Sequence, residues 1–450
     1  MRMNIGVVCL ALSATILSAL PFDVSAQRVR ESAGVRSGAS IKRASSRTEG
    51  VVSPVTYHLI DLGTLNTDPV TGQIISLAAG INQAGIVTGS SLLGTSEHAA
   101  RFRYGTVEDM GVIPGGNSSS GAGINDNGIV TGDSQYSANG GAIRHATLFK
   151  NGTALDLGFL PLSGDYSKAM GINNSEVVVG YSGYRLSTSN TRAFVWDAAL
   201  GMRDIGTLGG GWARALAIND SNQVTGSSQV PTGLGAFQAF IWDQTNGMRA
   251  IPTIAGDSSS GNFINANGHV AGTSTINNFD NRQHAFMWDG TTTHDLGAIG
   301  DNDFYSDRSS ATGINIYDHV VGSTYRPYMG GGLYSIPFLY RDGQMYDLST
   351  MVDGSDADYR LGTATGINDA GQIALSATKI STNQTRAVLL TPNVTVTGRL
   401  ITGEGRGLKQ ATVMLTNPNG ETYSVVTGRL GQFSIPYVPA GLTYTVTVFA

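Results

Sequence analysis

The feature that most restricts this chain's fold is a short element, Gly-Ile-Asn, that returns along it at a nearly constant interval. It stands as Gly80-Ile81-Asn82, Gly123-Ile124-Asn125, Gly171-Ile172-Asn173, Gly313-Ile314-Asn315 and Gly366-Ile367-Asn368, with degenerate copies at Ala217-Ile218-Asn219 and Phe263-Ile264-Asn265. The seven asparagines are 43, 48, 46, 46, 50 and 53 residues apart. An interval of about 40–50 residues is the length of one four-stranded propeller blade, and a repeat of that size cannot bury its apolar face alone. Seven such units predict an all-β fold, a seven-bladed β-propeller. A linear β-solenoid is the other reading of a β repeat, but its coils are usually shorter.

Within a unit the pattern is that of four short strands. The first ends at Gly-Ile-Asn, and the turn after it is often Asn-x-x-Gly, as in Asn125-Asp126-Asn127-Gly128 and Asn368-Asp369-Ala370-Gly371. An Asn side chain bonds the backbone two residues on and Gly supplies a positive φ, so a tight hairpin is expected there. Ile129-Val130-Thr131-Gly132 and Val177-Val178-Val179-Gly180 read as second strands. His284-Ala285-Phe286-Met287-Trp288 reads as a third, echoed at 192–196 and 238–242, and Asp295-Leu296-Gly297 as a fourth. No stretch keeps a 3.6-residue apolar period, so helices should be scarce. The 60 glycines and the charged fraction of 14% suit many tight turns between short strands.

Counting strands shows how the array ends. The seventh unit has no fourth strand after 386–390, whereas an orphan of the fourth-strand type, residues 57–63, precedes the first repeat. Laid beside 386–390, that N-terminal strand closes the ring and removes the open edges of an unclosed array.

Four elements recur in fixed order: His284-Ala285-Phe286, Trp196-Asp197, Asp204-Ile205-Gly206-Thr207-Leu208-Gly209-Gly210 and the Gly-Ile-Asn set. Together they resemble the HAF repeat of extracellular bacterial proteins, from Tyr57 to about Pro392. The resemblance implies an extracellular location and brings no catalytic activity with it. From Asn393 onward, stretches 394–399, 411–415, 431–435 and 444–448 alternate as strands do. Their order is similar to the carboxypeptidase regulatory-like (transthyretin-like) β-sandwich. Thr427 to Phe433 match that family's T-D-x-x-G-x-F turn, with Gly428 in place of the Asp. Such domains continue for one or two further strands, so the tail is expected to be an incomplete β-sandwich that leaves Val413, Leu415 and Ile435 partly uncovered.

The chain therefore divides into residues 1–26, 27–54, 55–392 and 393–450. Arg2, the apolar run from Ile5 to Leu20 and the small residues of Val24-Ser25-Ala26 make the first segment a secretory signal peptide, cut after Ala26. Its apolar run is shorter than the ~20 residues of a membrane span. Residues 27–54 carry Arg28, Arg30, Arg36, Lys42, Arg43 and Arg47 with almost no large apolar residue, so they read as a flexible basic leader. Cleavage removes Cys9, the one cysteine, and stability must then come from burial and hydrogen bonds, not from disulfides. The net charge of −5, with no basic run in the folded part, argues against nucleic acid as a partner. The mature chain is expected to be secreted, on the cell surface or in the periplasm, with no transmembrane span.

Polar residues that recur in every unit serve the fold. His98, His145 and His284 open third strands where other units carry Arg192, Gln238 and Arg386. A position shared by imidazole and guanidinium is not a catalytic or metal-ligating one, but it suits a donor to a neighbouring carbonyl. Trp196, Trp242 and Trp288 recur likewise and are expected to pack between blades, whereas Trp212 falls off the register. The long connections, between second and third strands and from blade to blade, share one face, and loops on a rigid scaffold carry function. On them, Trp212, Tyr305, Tyr325, Tyr328 and Tyr359 form a candidate glycan platform. Asp301, Asp303, Asp307, Asp356 and Asp358 form a candidate Ca²⁺ set, although Tyr305 stands where a D-x-D-x-D-G loop places its third oxygen. No Asp-box, G-x-S-x-G, H-E-x-x-H or P-loop occurs. The expectation is a binding or structural protein, not an enzyme, with a glycan, a cell-envelope component or a cell-surface protein as partner and no cofactor beyond calcium. The alternative is a carbohydrate-active hydrolase or lyase using carboxylates of the blade-to-blade loops.

Overall fold

The computed structural model describes residues 55–449, apart from 66–71, 73, 139–140, 162–163, 185–186, 232–234, 280–281, 301–306, 329–331, 402–404 and 419. The signal peptide and basic leader expected over 1–54 lie outside the described residues, as do Asp301, Asp303 and Tyr305. Among the described residues the chain is all-β, as expected, with a single 3-10 turn at Leu348–Thr350.

Six four-stranded antiparallel sheets are each built from strands consecutive in sequence. One of them runs Ala213–Ile218, Val224–Gln229, Phe237–Asp243, Gly247–Ala250. A further sheet joins Tyr359–Ile367, Ile373–Lys379 and Gln384–Arg399 to the distant strand Tyr57–Asp61. That strand lies antiparallel to Gln384–Arg399, with Tyr57 opposite Pro392, Leu59 opposite Leu390 and Asp61 opposite Val388. It takes the outer place that the fourth strand of a unit holds elsewhere. The first strands of successive sheets contact one another in order, and Tyr359–Ile367 in turn contacts Ser76–Ile81. The arrangement is propeller-like.

Two side-chain requirements explain the repeat. In the six consecutive sheets the first strand slips register just before Gly-Ile-Asn, as between Ala215 and Ala217. The carbonyl displaced there crowds a glycine of the second strand. A Cβ on Gly226 would stand 1.9 Å from the Arg214 carbonyl oxygen, and one on Gly132 would stand 1.8 Å from that of Ser120. The last sheet slips twice, between Leu361 and Ala364 and again before Gly366, and there Leu375 is tolerated in the glycine's place. The second requirement is a wedge. Phe102, Phe149, Phe194, Phe240, Phe286 and Phe338 of the third strands are fully buried. Phe240 packs on Val179, Ala193 and Val195 of the preceding sheet, and Phe286 on Ala217 and Ile241. Burial of each such ring contributes about 1.5–3 kcal/mol. Trp196, Trp242 and Trp288 pack, partly buried, against these inter-sheet clusters.

The boundary expected at 392/393 falls inside one continuous strand. Gln384–Arg399 pairs in its first half with Ile373–Lys379 and in its second half with Gln432–Pro439. A three-stranded sheet of Thr422–Val426, Thr412–Thr416 and Thr445–Phe449 packs over this extension. Contrary to expectation, Val413, Leu415 and Ile435 are only 1%, 4% and 2% exposed. Leu400, Ala411 and Val438, with Val396, Tyr423, Tyr444, Val446 and Val448, close around them.

Candidate functional site

At the Gly-Ile-Asn end, each asparagine serves two units. Asn82 Oδ1 accepts from the N–H groups of Ala84 and Ile86, which fixes its own turn. Its Nδ2 donates to the Asn125 carbonyl at 3.0 Å, and Asn125 Nδ2 to that of Asn173 at 3.1 Å. The same bond runs from Asn173 to Asn219, Asn219 to Asn265, Asn265 to Asn315 and Asn315 to Asn368. Asn368 donates to Asn82 at 3.2 Å, so the chain of bonds returns to its start. It encircles a cavity of about 240 Å³ walled by the Gly-Ile-Asn segments. Most of the polar groups there are already bonded to one another. The turn role of these asparagines was legible in the sequence; the bond to the next unit was not.

The histidines also hold the fold, with a different partner from the expected carbonyl. His98, His145 and His284 place Nδ1 3.0, 2.9 and 2.8 Å from carboxylate oxygens of Asp109, Asp156 and Asp295. Arg192 donates in the same place to Asp204 at 2.8 Å, which is why imidazole and guanidinium exchange. Each carboxylate also accepts the N–H of the glycine two residues on, as Asp295 does from Gly297.

Departures from the repeat gather on the first strands of the third and fourth sheets. Five residues before the repeat's glycine position stand Ile75, Ser118, Tyr166, Trp212, Ser258, Arg308 and Leu361; three before it stand Leu77, Ser120, Lys168, Arg214, Ser260, Ser310 and Thr363. An aromatic residue followed two positions on by a cation occurs only in Tyr166/Lys168 and Trp212/Arg214. Both pairs lie toward the start of their strand, away from the Gly-Ile-Asn end. The Arg214 guanidinium carbon lies 4.8 Å from the Trp212 ring and 4.5 Å from that of Tyr181, on the second strand of the preceding sheet. Phe237 meets Trp212 edge-on at 4.8 Å, and Tyr166 lies 6.1 Å from Tyr181. Lys168 Nζ is 3.1 Å from Asp133 Oδ1, and Arg144 Nε donates to the other oxygen of that buried carboxylate. Burial, reinforced by Tyr181 and Asp133, pushes the Tyr166 hydroxyl well above the ordinary tyrosine value, so it stays protonated, and it is hydrogen-bonded to Tyr181.

Of the expected platform, Trp212 alone joins this cluster. Tyr359 donates its hydroxyl to Asp61 at 2.8 Å and lies 5.6 Å from Lys379 Nζ, and so holds the N-terminal strand. Tyr325 and Tyr328 lie on another strand, Val320–Tyr328, opposite Ser335 and Gly332. The described aspartates of the calcium set are not brought together. Asp307 is engaged by His284 Nε2 at 2.8 Å and Arg282 Nη1 at 2.7 Å, and Asp358 by the N–H and hydroxyl of Ser381. Asp356 lends its carbonyl to the N–H of Tyr359. Among the described residues no group of three or more His, Cys, Asp or Glu side chains could hold a metal ion. No helix among them is long and apolar enough to cross a membrane.

Similarity to solved structures is remote. TolB from Acinetobacter baumannii is 14% identical over 52% of this chain and 61% of its own, with a TM-score of 0.34, so this chain spans about three fifths of that protein. A gluconolactonase from Xanthomonas campestris is 11% identical over 75% and 95%, with a TM-score of 0.35. PorZ, a surface component of the type-IX secretion system of Porphyromonas gingivalis, is 11% identical over 81% and 64%, also at 0.35. No curated protein matches the chain. One family profile does match, over residues 147–427, which is more than half of the sequence, and the chain belongs to that family, described as a protein of unknown function (DUF3466).

Proposed function

We propose that the chain is an exported binding protein whose glycan or cell-envelope ligand docks at the Tyr166–Tyr181–Arg214–Trp212 cluster. The scaffold is a seven-bladed propeller of HAF-type repeats closed by Tyr57–Asp61, joined to a carboxypeptidase regulatory-like sandwich. Removal of residues 1–26 leaves it secreted, on the surface or in the periplasm. Support for the closed ring comes from the pairing of Tyr57–Asp61 with Gln384–Arg399 and from the asparagine bonds that return from Asn368 to Asn82. The observation that carries the binding role is the break in the repeat. Of seven near-equivalent units only the third and fourth pair an aromatic residue with a cation here, Tyr166 with Lys168 and Trp212 with Arg214, where the others place Ile, Ser, Arg or Leu followed by Leu, Ser or Thr, and partly exposed aromatic surface suits the apolar faces of sugar rings.

The test is a glycan array and a cell-wall pulldown. Changing Trp212 and Tyr181 together to Ala is expected to weaken retention at least tenfold, about 1.4 kcal/mol, without lowering the melting temperature by more than a few degrees. Turnover of a polysaccharide, abolished by loss of one carboxylate such as Asp303→Ala, would replace the binding role with that of a hydrolase or lyase.

A further inference from the structure

We infer that the group received at this cluster is a carboxylate, so that the ligand is an acidic, uronate-bearing glycan held by Arg214; this rests on the glycan-binding reading above. Five other arginines are each committed to an aspartate: Arg144 to Asp133, Arg192 to Asp204, Arg203 to Asp197, Arg249 to Asp243 and Arg282 to Asp307. Arg214 is not. Among the described residues no carboxylate pairs with it, and its Nε is buried without a hydrogen-bond partner. The rings of Tyr181 and Trp212 hold the cation but accept none of its in-plane N–H bonds. Asp133, a carboxylate beside Tyr166, is taken by Arg144 and Lys168. A planar guanidinium presents paired donors that match the two oxygens of a carboxylate, which a lysine ammonium does not. The flanking Trp212, Phe237 and Tyr181 offer apolar surface to the sugar ring that bears the carboxylate.

The experiment is calorimetric titration of the full chain with oligogalacturonate, oligoglucuronate and oligomannuronate, beside the methyl ester of each and inorganic phosphate. At least one free acid is expected to bind ten or more times tighter than its ester. Arg214→Gln should erase that difference while leaving residual affinity for the ester, Arg214→Lys should recover only part of it, and Trp212→Ala should weaken acid and ester alike. Equal affinity for acid and ester would overturn the carboxylate assignment and leave the glycan reading standing. Displacement by millimolar phosphate as effective as by the monomeric uronate would show an oxyanion pocket with no sugar recognition and overturn it too. Failure of every acid to bind while neutral glycans are retained would also sink it, whereas failure of acidic and neutral glycans together would remove both readings. An unchanged melting curve for Arg214→Gln separates lost binding from lost folding.

Discussion

At the scale of single residues, His284 is held between two carboxylates, Asp295 at 2.8 Å on Nδ1 and Asp307 at 2.8 Å on Nε2. Burial alone would lower its pKa, but the hydrogen bonds and charges of the two aspartates outweigh burial and raise it. Burial would likewise raise Asp295, and the bond to His284, the Gly297 N–H and the His284 charge outweigh it and bring it down. A raised histidine stabilises fully below its unfolded value near 6.5, and that contribution fades as pH climbs through the folded value. A lowered aspartate stabilises above about 4 and loses this as pH falls through its folded value. The pair is therefore strongest between about pH 4 and 6.5. His284→Gln is expected to cost about 1–3 kcal/mol at pH 5.5 and measurably less at pH 8.5, read from urea melts; an equal or larger loss at pH 8.5 would falsify the charge argument. The fold-serving role of this histidine was legible, because arginine replaces it in another unit. Its partner was not, because the carboxylate sits on the adjoining strand. One signal was available: His98, His145 and His284 each precede their aspartate by 11 residues.

Elements were read most reliably where a turn residue and a strand pattern agreed. The hairpin after Gly-Ile-Asn was legible because Asn and Gly both demand it, and Gly128 does adopt φ +75°. The glycine of the second strand was read only as part of a run. Its cause, a bulge carbonyl on the neighbouring strand, depends on register and lies beyond any one segment. Thr422–Val426 was missed because its residues are all exposed or half-buried, leaving little contrast between its faces. At this scale the asparagine link makes a sharp prediction. Asn125 is 4% exposed, takes the Ile129 N–H on Oδ1 and donates to Asn173. Asn125→Ala strands a buried donor and a buried acceptor in two different units, at about 1–3 kcal/mol each. A loss of about 2–5 kcal/mol in denaturant melts is expected, with faster amide exchange at both Ile129 and the Asn173 turn. A change confined to the turn of residues 125–129 would show that the asparagine serves its own hairpin alone.

For the whole molecule, the question is whether the N-terminal strand is an appendage or the closing element. Tyr57, Leu59, Ile60 and Leu62 are all buried, and they fall into two different clusters. Tyr57 and Leu59 join the apolar set shared with Leu339, Leu348 and Leu361. Ile60 and Leu62 join the set that contains Phe102 of the first repeat. The strand thus cements the last sheet to both of its neighbours, and the backbone adds bonds from Tyr57 to Met351 and from Leu62 to Ala387. Each buried apolar side chain contributes about 1.5–3 kcal/mol, so deleting residues 57–63 is expected to cost several kcal/mol, a large share of the stability of an ordinary domain. The loss should not stay local. Gln384–Arg399 would lose its outer partner and present an open edge, and the same strand continues into the C-terminal sheets. The deleted protein is therefore expected to melt well below the intact one, in a transition that carries residues 394–399 with 373–379, and to aggregate on warming. Amide exchange of Val394 to Arg399 should rise together with that of Ile373 to Lys379. If the deleted chain instead melts at the intact temperature with protected amides in both stretches, Tyr57–Asp61 is an appendage, and the sheets hold together through their asparagines and phenylalanine wedges alone.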